Sequence, residues 1–186
     1  MPPLKPQRSL KARALQSLAQ REQSRVELRR KLLPYAVAEA EAAEQAGSAP
    51  AELAPAARVE ALLDWLEANR YLSQERFVES RVQARSARFG NLRIRHELKQ
   101  HHVSLAPDAA QALEASELQR ARAVRERKFP ALPSSTAERA KQARFLAGRG
   151  FSPEVIGRAL RPARRSADAD ADTDTGTNNE ADAGAD

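Results

Sequence analysis

The sequence predicts an all-α protein made of three tandem three-helix, helix-turn-helix-like repeats, ending in a disordered acidic tail. Three observations lead there. Apolar residues make up 41% of the chain but aromatics only 4%, and the dominance of Ala, Leu and Arg favours helix while giving a sheet little to pack. Apolar side chains recur at helical spacing in segment after segment, with Gly and Pro between them. The segments also repeat. Setting Leu28 and Leu32 on Ile94 and Leu98 takes a shift of 66 residues, and setting Leu98 and Val103 on Leu146 and Phe151 takes a shift of 48. With so few bulky residues, three small cores are expected rather than one large one.

Residues 1–8 carry no pattern and read as disordered. The first repeat spans 9–70. From Ser9 to Glu22, Leu10, Ala14, Leu15 and Leu18 fall on one side of a helix. Ser24 is the expected N-cap of the next helix, with Glu27 placed to complete a capping box, and Leu28, Leu32 and Tyr35 then share a face. Residues 38–55 form an Ala/Glu/Pro-rich insertion of 18 residues, which is the difference between the two repeat shifts. It is expected to prolong the second helix to about Gln45 and then to loop through Gly47-Ser48-Ala49-Pro50. Arg58 to Ala68 brings Val59, Leu62, Leu63 and Leu66 together, with Trp65 beside them. The second repeat, 71–115, holds Gln74 to Phe89, Asn91 to His102 and Pro107 to Ala115. The third, 116–161, holds Ser116 to Phe129, Thr136 to Ala147 and Pro153 to Leu160. Gly90, Gly150 and the prolines at 107, 130, 133 and 153 mark the joins, giving about nine helices in all. Residues 162–186 alternate Ala with Asp and add Thr, Gly and Asn, a composition that cannot form a core.

Net charge is +6, unevenly placed. No Lys or Arg lies beyond Arg165, whereas seven acidic residues do, so the body carries 31 basic against 18 acidic residues. So basic a body usually meets a polyanion, most often nucleic acid; a surface tuned for solubility is the plain alternative. The chain has no cysteine, which excludes disulfides and thiolate chemistry and agrees with a cytoplasmic location. The absence of a signal-like or membrane-length apolar run points the same way, to no membrane partner.

Catalytic constellations are absent: no GxxxxGK(S/T) phosphate loop, no GxSxG elbow, no HExxH pair. The histidines at 96, 101 and 102 do not share a face with carboxylates, so no metal and no cofactor are expected. His101 lies on the side of Ile94 and Leu98 and reads as partly buried. Arg95, Lys99 and His96 sit opposite that stripe. Arg29 occupies the repeat position of Arg95, Arg30 that of His96, and Arg144 recurs there in the third copy, an outward ribbon of charge suited to a helical polyanion or a filament groove. Solvated helix faces with local Glu partners are the alternative. Arg81 and Arg88 border the apolar sector of Phe77, Val78, Val82 and Ala84, and Arg85 points towards it. Arg85 must therefore find a carboxylate, with Glu79 and Glu97 as candidates, or emerge between units. Trp65 and Tyr71 read as core anchors rather than base-stacking platforms, because Leu63, Leu66 and Leu72 surround them.

The run Ala61-Leu62-Leu63-Asp64-Trp65-Leu66-Glu67-Ala68-Asn69-Arg70-Tyr71-Leu72-Ser73, followed by Glu75-Arg76-Phe77 and Arg81-Val82, resembles the most recognisable segment of the RecX recombination regulators. So do Phe89-Gly90, Arg93-Ile94-Arg95-His96-Glu97-Leu98, Arg149-Gly150-Phe151-Ser152 and the Ser24 to Leu32 segment. The likeness runs from about Leu10 to Arg161. The family has Asp at the place of Gln74 and Lys-Gly or a similar pair at His101-His102, and the insertion and acidic tail are local additions. The resemblance implies a curved array of the three units, without enzyme activity, that binds in the groove of the RecA–single-stranded-DNA filament. It further implies inhibition of ATP hydrolysis and strand exchange, and hence modulation of recombination, DNA repair and the SOS response. Weak DNA binding in some members adds single-stranded DNA, and double-stranded DNA as a further candidate, to the partners of a monomer. The residues expected to make contact are Arg81, Arg85, Arg88, Arg93, Arg95 and Lys99, flanked by Arg29, Arg30, Arg144 and Arg149. A stand-alone helix-turn-helix-like DNA-binding protein is the runner-up, weakened by outward faces that carry few Asn, Gln or Ser side chains for base readout. The acidic tail is a candidate electrostatic shield over the basic ribbon.

Overall fold

A computed structural model describes residues 8–49 and 52–162. The readings made for residues 1–7, for Pro50 and for the tail from 163 onward lie outside the described residues. Among those described, eight α-helices and no strand are found. Leu10–Gln20 is α1, Arg25–Gln45 is α2 and Pro55–Ala68 is α3. Then come α4 at Gln74–Ser86 and α5 at Asn91–Gln100. Pro107–Lys128 is α6, Thr136–Ala147 is α7 and Pro153–Ala159 is α8.

The helix starts follow the local chemistry. Serine hydroxyls at positions 9, 24, 73, 135 and 152 each accept a main-chain N–H from the first turn of the helix that follows, which satisfies donors that have no partner within the helix. At α3 and α6, which lack a hydroxyl cap, a proline occupies the first turn; its missing N–H costs nothing there, while α5, with neither, gives its Asn91 N–H to Glu117. α2 runs on through the insertion to Gln45 as expected from the sequence, and α3 begins at Pro55, three residues before the predicted start.

Three apolar clusters form the core. Leu10, Ala14, Leu28, Leu32, Ala36, Val59, Leu63, Leu66 and Leu72 close α1 to α3. Phe77, Val78, Ile94, Leu98 and Leu113 close α4, α5 and the start of α6. Ala121, Val124, Leu146, Phe151, Val155, Ile156, Ala159 and Leu160 close the rest of α6 with α7 and α8. The segments read as two helices, Pro107 to Ala115 and Ser116 to Phe129, are one continuous helix. No Gly or Pro interrupts them, and the apolar stripe passes from Leu113 in one cluster to Ala121 in the next.

Two side chains expected inside lie outside. Tyr35 is 45% exposed, its ring under the guanidinium of Arg13 at 4.0 Å, and Ala36 takes the buried place instead. Tyr71 is 49% exposed, whereas Trp65 does pack, partly buried, against the first core. The aligned positions of the repeats share a helix-ending turn. Val103 donates to the Leu98 carbonyl at 3.2 Å and Phe151 to the Leu146 carbonyl at 3.3 Å, and the residue before each has positive φ, 56° at His102 and 79° at Gly150.

Candidate functional site

Six of the ten basic residues singled out by the sequence, Arg30, Arg81, Arg85, Arg88, Arg93 and Arg149, gather where one helical cluster meets the next. Between the first and second, Ser24 Oγ at the head of α2 lies 2.9 Å from His101 Nδ1 at the end of α5. Between the second and third, Gly90 N–H donates to the Arg149 carbonyl and Leu92 N–H to the Gly150 carbonyl, both at 3.0 Å. Ser24 and Gly90 are the N-caps of α2 and α5, and the 66-residue shift aligns them. The 48-residue shift likewise aligns His101 with Arg149, so both joints seat one helix N-terminus on the C-terminal turn of a later helix. The second joint is tighter, because Gly90 has no Cβ. Glu117 of α6 accepts the Asn91 N–H at 2.8 Å. Arg120 donates to the carbonyls of Ser86, Phe89 and Leu113 at 3.3, 2.9 and 2.9 Å, and burial lowers its pKa, with Glu117 opposing.

At the first joint an open groove of about 370 Å³ is lined by Val26, Glu27 and Arg30 of α2, Arg81 and Arg85 of α4, and Glu97, Gln100 and His101. Glu27 does not reach back to complete a capping box. It bridges Arg21 at 2.9 Å and Arg81 at 3.1 Å. Burial alone would raise the Glu27 pKa, but Arg21, Arg81 and His101 outweigh it and hold the carboxylate below its usual range. Arg85 finds Glu97 at 2.9 Å, one of its two candidate partners. Burial lowers the His101 pKa against the pull of Glu27, with Arg81 and Arg30 pushing the same way as burial, and its ring meets Phe77 edge-on at 5.0 Å.

Beyond this groove, Phe89 stands among three guanidiniums: Arg93 at 4.5 Å, Arg85 at 5.6 Å and Arg88 at 5.8 Å from the ring centroid. Arg93 also reaches Glu97 at 3.8 Å and the Gly148 carbonyl at 3.5 Å. Arg149 lies 3.7 Å over the Phe145 ring. Arg95, Lys99 and His102 edge a separate open groove floored by Leu98, Val103, Leu105 and Ala110.

The outward ribbon is less uniform than its spacing suggests. Arg29 is paired with Glu60 of α3 at 2.6 Å, and its repeat equivalent Arg95 is paired with Glu114 of α6, so both are tied to the third helix of their own cluster. Arg30, Arg88, Lys99 and Arg144 are exposed and have no carboxylate partner among the described residues. Sequence reasoning passed over Arg21, Arg76 and Arg120. Arg76 pairs with Glu22 at 2.7 Å across 54 positions, a separation at which periodicity within one helix carries no signal. Among the described residues, no helix is long and apolar enough to cross a membrane.

Comparison with known proteins agrees with this arrangement of helices. The family profile described as "RecX, third three-helix domain" matches residues 115–160, the stretch from the middle of α6 through α8. "Regulatory protein RecX" of Ralstonia nicotianae is 48% identical over 158 residues, covering 83% of this chain and 88% of that protein. The protein of the same name from Herbaspirillum seropedicae is 47% identical over 161 residues, 86% of this chain and 94% of the other. That of Neisseria gonorrhoeae is 34% identical over 166 residues, again 86% and 94%. Relatives of this identity, covered over most of both chains, show that the chain belongs to the RecX family of regulatory proteins.

Proposed function

We propose that the protein binds the RecA–single-stranded-DNA filament and inhibits its ATP hydrolysis, strand exchange and related activities. It thereby modulates recombination, DNA repair and the SOS response, as a cytoplasmic monomer with no reaction of its own. The observation that carries this reading is the concentration of guanidiniums at the joints: Arg30, Arg81 and Arg85 in one groove, and Arg85, Arg88 and Arg93 about Phe89. Glu27 and Glu97 neutralise part of that charge and fix the geometry of the rest. The result is a surface for a phosphate backbone and an acidic protein face rather than a pocket for a small molecule. Arg30 and Arg88 test it most cleanly, since each belongs to one of these two groups and neither is held in an ion pair among the described residues. An Arg30→Glu/Arg88→Glu variant should keep its helical circular dichroism and bind preassembled filaments about tenfold more weakly or worse. Unchanged affinity in a folded double variant would remove this surface from the interface. Titration with unrelated duplex sequences separates the runner-up, since a helix-turn-helix repressor discriminates among them and a phosphate-led binder hardly does.

A further inference from the structure

We infer that Trp65 and Tyr71 form a nucleobase-stacking platform for single-stranded nucleic acid on the first helical cluster. The two rings stack, with centroids 5.6 Å apart and planes 20° from parallel. Trp65 is anchored against the core, while Tyr71 is 49% exposed and its hydroxyl has no hydrogen-bond partner among the described residues. A tyrosine needed only as cover would lay its ring inward. Here the ring is carried outward on a fixed turn. Tyr71 N–H donates to the Leu66 carbonyl at 2.9 Å, Arg70 takes φ of 59°, and Arg76 Nη2 donates to the carbonyls of Arg70 and Tyr71, both at 3.1 Å. Holding the ring in advance removes the ordering cost that a mobile side chain would bring to binding.

A cation that no carboxylate neutralises stands at the pair and can meet a phosphate. Lys11 Nζ sits 3.6 Å from the Trp65 ring centroid and has no carboxylate partner among the described residues. The turn that carries Tyr71 is linked to the groove already described through side chains: Arg76 pairs with Glu22, and the neighbouring Arg21 pairs with Glu27 in the groove lining. Arg76, which holds the Tyr71 turn, precedes Arg81 by five residues on α4, about 7.5 Å along the axis. On this proposal a strand whose phosphates follow Arg81, Arg85 and Arg30 continues towards Tyr71. Every base has a π face, so the contact tolerates any sequence, but it needs bases that are not paired in a duplex.

This rests on the DNA half of the proposed function and not on the recombinase, so the test uses the full chain alone with oligonucleotides. Trp65 is the single tryptophan in the sequence, and its emission reports directly. Oligothymidylate should change that emission and bind more tightly than an abasic strand of equal length and charge. Tyr71→Leu should cost about five- to tenfold in affinity for oligothymidylate, the low end for base–aromatic stacking, and nothing for the abasic strand, with Tyr71→Phe restoring the difference. Equal affinity for both strands, or no effect of Tyr71→Leu, overturns the platform while leaving the basic groove standing. Failure of both strands to bind at low salt overturns the platform together with the DNA half of the proposed function.

Discussion

Replacing Gly90 by Ala adds one methyl group at the joint between α5 and the turn after α7. A Cβ there would lie 2.3 Å from the Gly150 carbonyl oxygen and 2.3 Å from the Phe151 amide nitrogen. Both are main-chain atoms, which cannot rotate aside as a flexible side chain does. Gly90 has φ of −81°, open to any residue, so the whole cost is steric. Restoring ordinary contact moves the two backbones apart by about 1 Å, which lengthens the Gly90–Arg149 and Leu92–Gly150 hydrogen bonds from 3.0 Å beyond useful range. Two such bonds at about 0.5–1.5 kcal/mol each, with overpacking of about 1–3 kcal/mol, give a loss of roughly 2–6 kcal/mol. Urea unfolding followed by circular dichroism reads the loss, and hydrogen exchange should place it first in α7 and α8. Gly157→Ala is the control, since nothing lies within 4 Å of its Cβ position and alanine in α8 should gain up to about 1 kcal/mol. A Gly90→Ala protein within about 0.5 kcal/mol of the parent would refute the close approach as a structural constraint.

Three further outcomes follow from the joints. His102 has φ of 56° where Gly would be unstrained, so His102→Gly should raise stability by about 0.5–1 kcal/mol, read as a higher melting temperature; a lower one would contradict the strain. Arg120→Met removes the donor to the carbonyls of Ser86 and Phe89, while Leu113 keeps Asn91 Nδ2 and Ser116 Oγ; it should cost about 2–4 kcal/mol in denaturant unfolding, whereas a neutral result would mean that the two carbonyls are satisfied without it. His101 has a folded pKa below its usual value, so the unfolded chain takes up the proton first. Stability should therefore fall as pH drops through about 6.5 towards the folded pKa. Glu27 acts at lower pH: its depressed pKa contributes stability that is lost as the pH falls through its folded value. Unfolding measured at several pH values should show a shallower slope in the first window for His101→Gln, and an unchanged slope would exclude His101 as its source.

Much of the fold was legible because it is written locally. Ser24, Ser9 and Ser152 head helices as hydroxyl caps, Pro107 and Pro153 open them, and leucines spaced three and four apart fill each cluster. The break expected near residue 115 was not real, because repeat boundaries and helix boundaries are different things: α6 serves two cores with one stripe. Tyr35 and Tyr71 were misplaced because helical phase gives a direction and not what lies there. Arg13 and the Arg70 turn decide those exposures. The arginines were legible as a basic population, and of the two courses open to Arg85, meeting a carboxylate or emerging between units, the structure shows it paired with Glu97 in the groove at the joint. Which of them are neutralised was not legible, since Glu27 reaches Arg81 across 54 positions and Arg29 reaches Glu60 across 31.

The central claim is that the protein acts on the filament and not simply on its DNA. Single-stranded-DNA-dependent ATP hydrolysis by the cognate RecA, measured while the protein is titrated in, tests it most directly. Loss of turnover is expected well below one protein per recombinase, with little coating of free DNA at the same concentrations. Loss only at concentrations that saturate the DNA would contradict it, and competition for phosphates would then explain the inhibition.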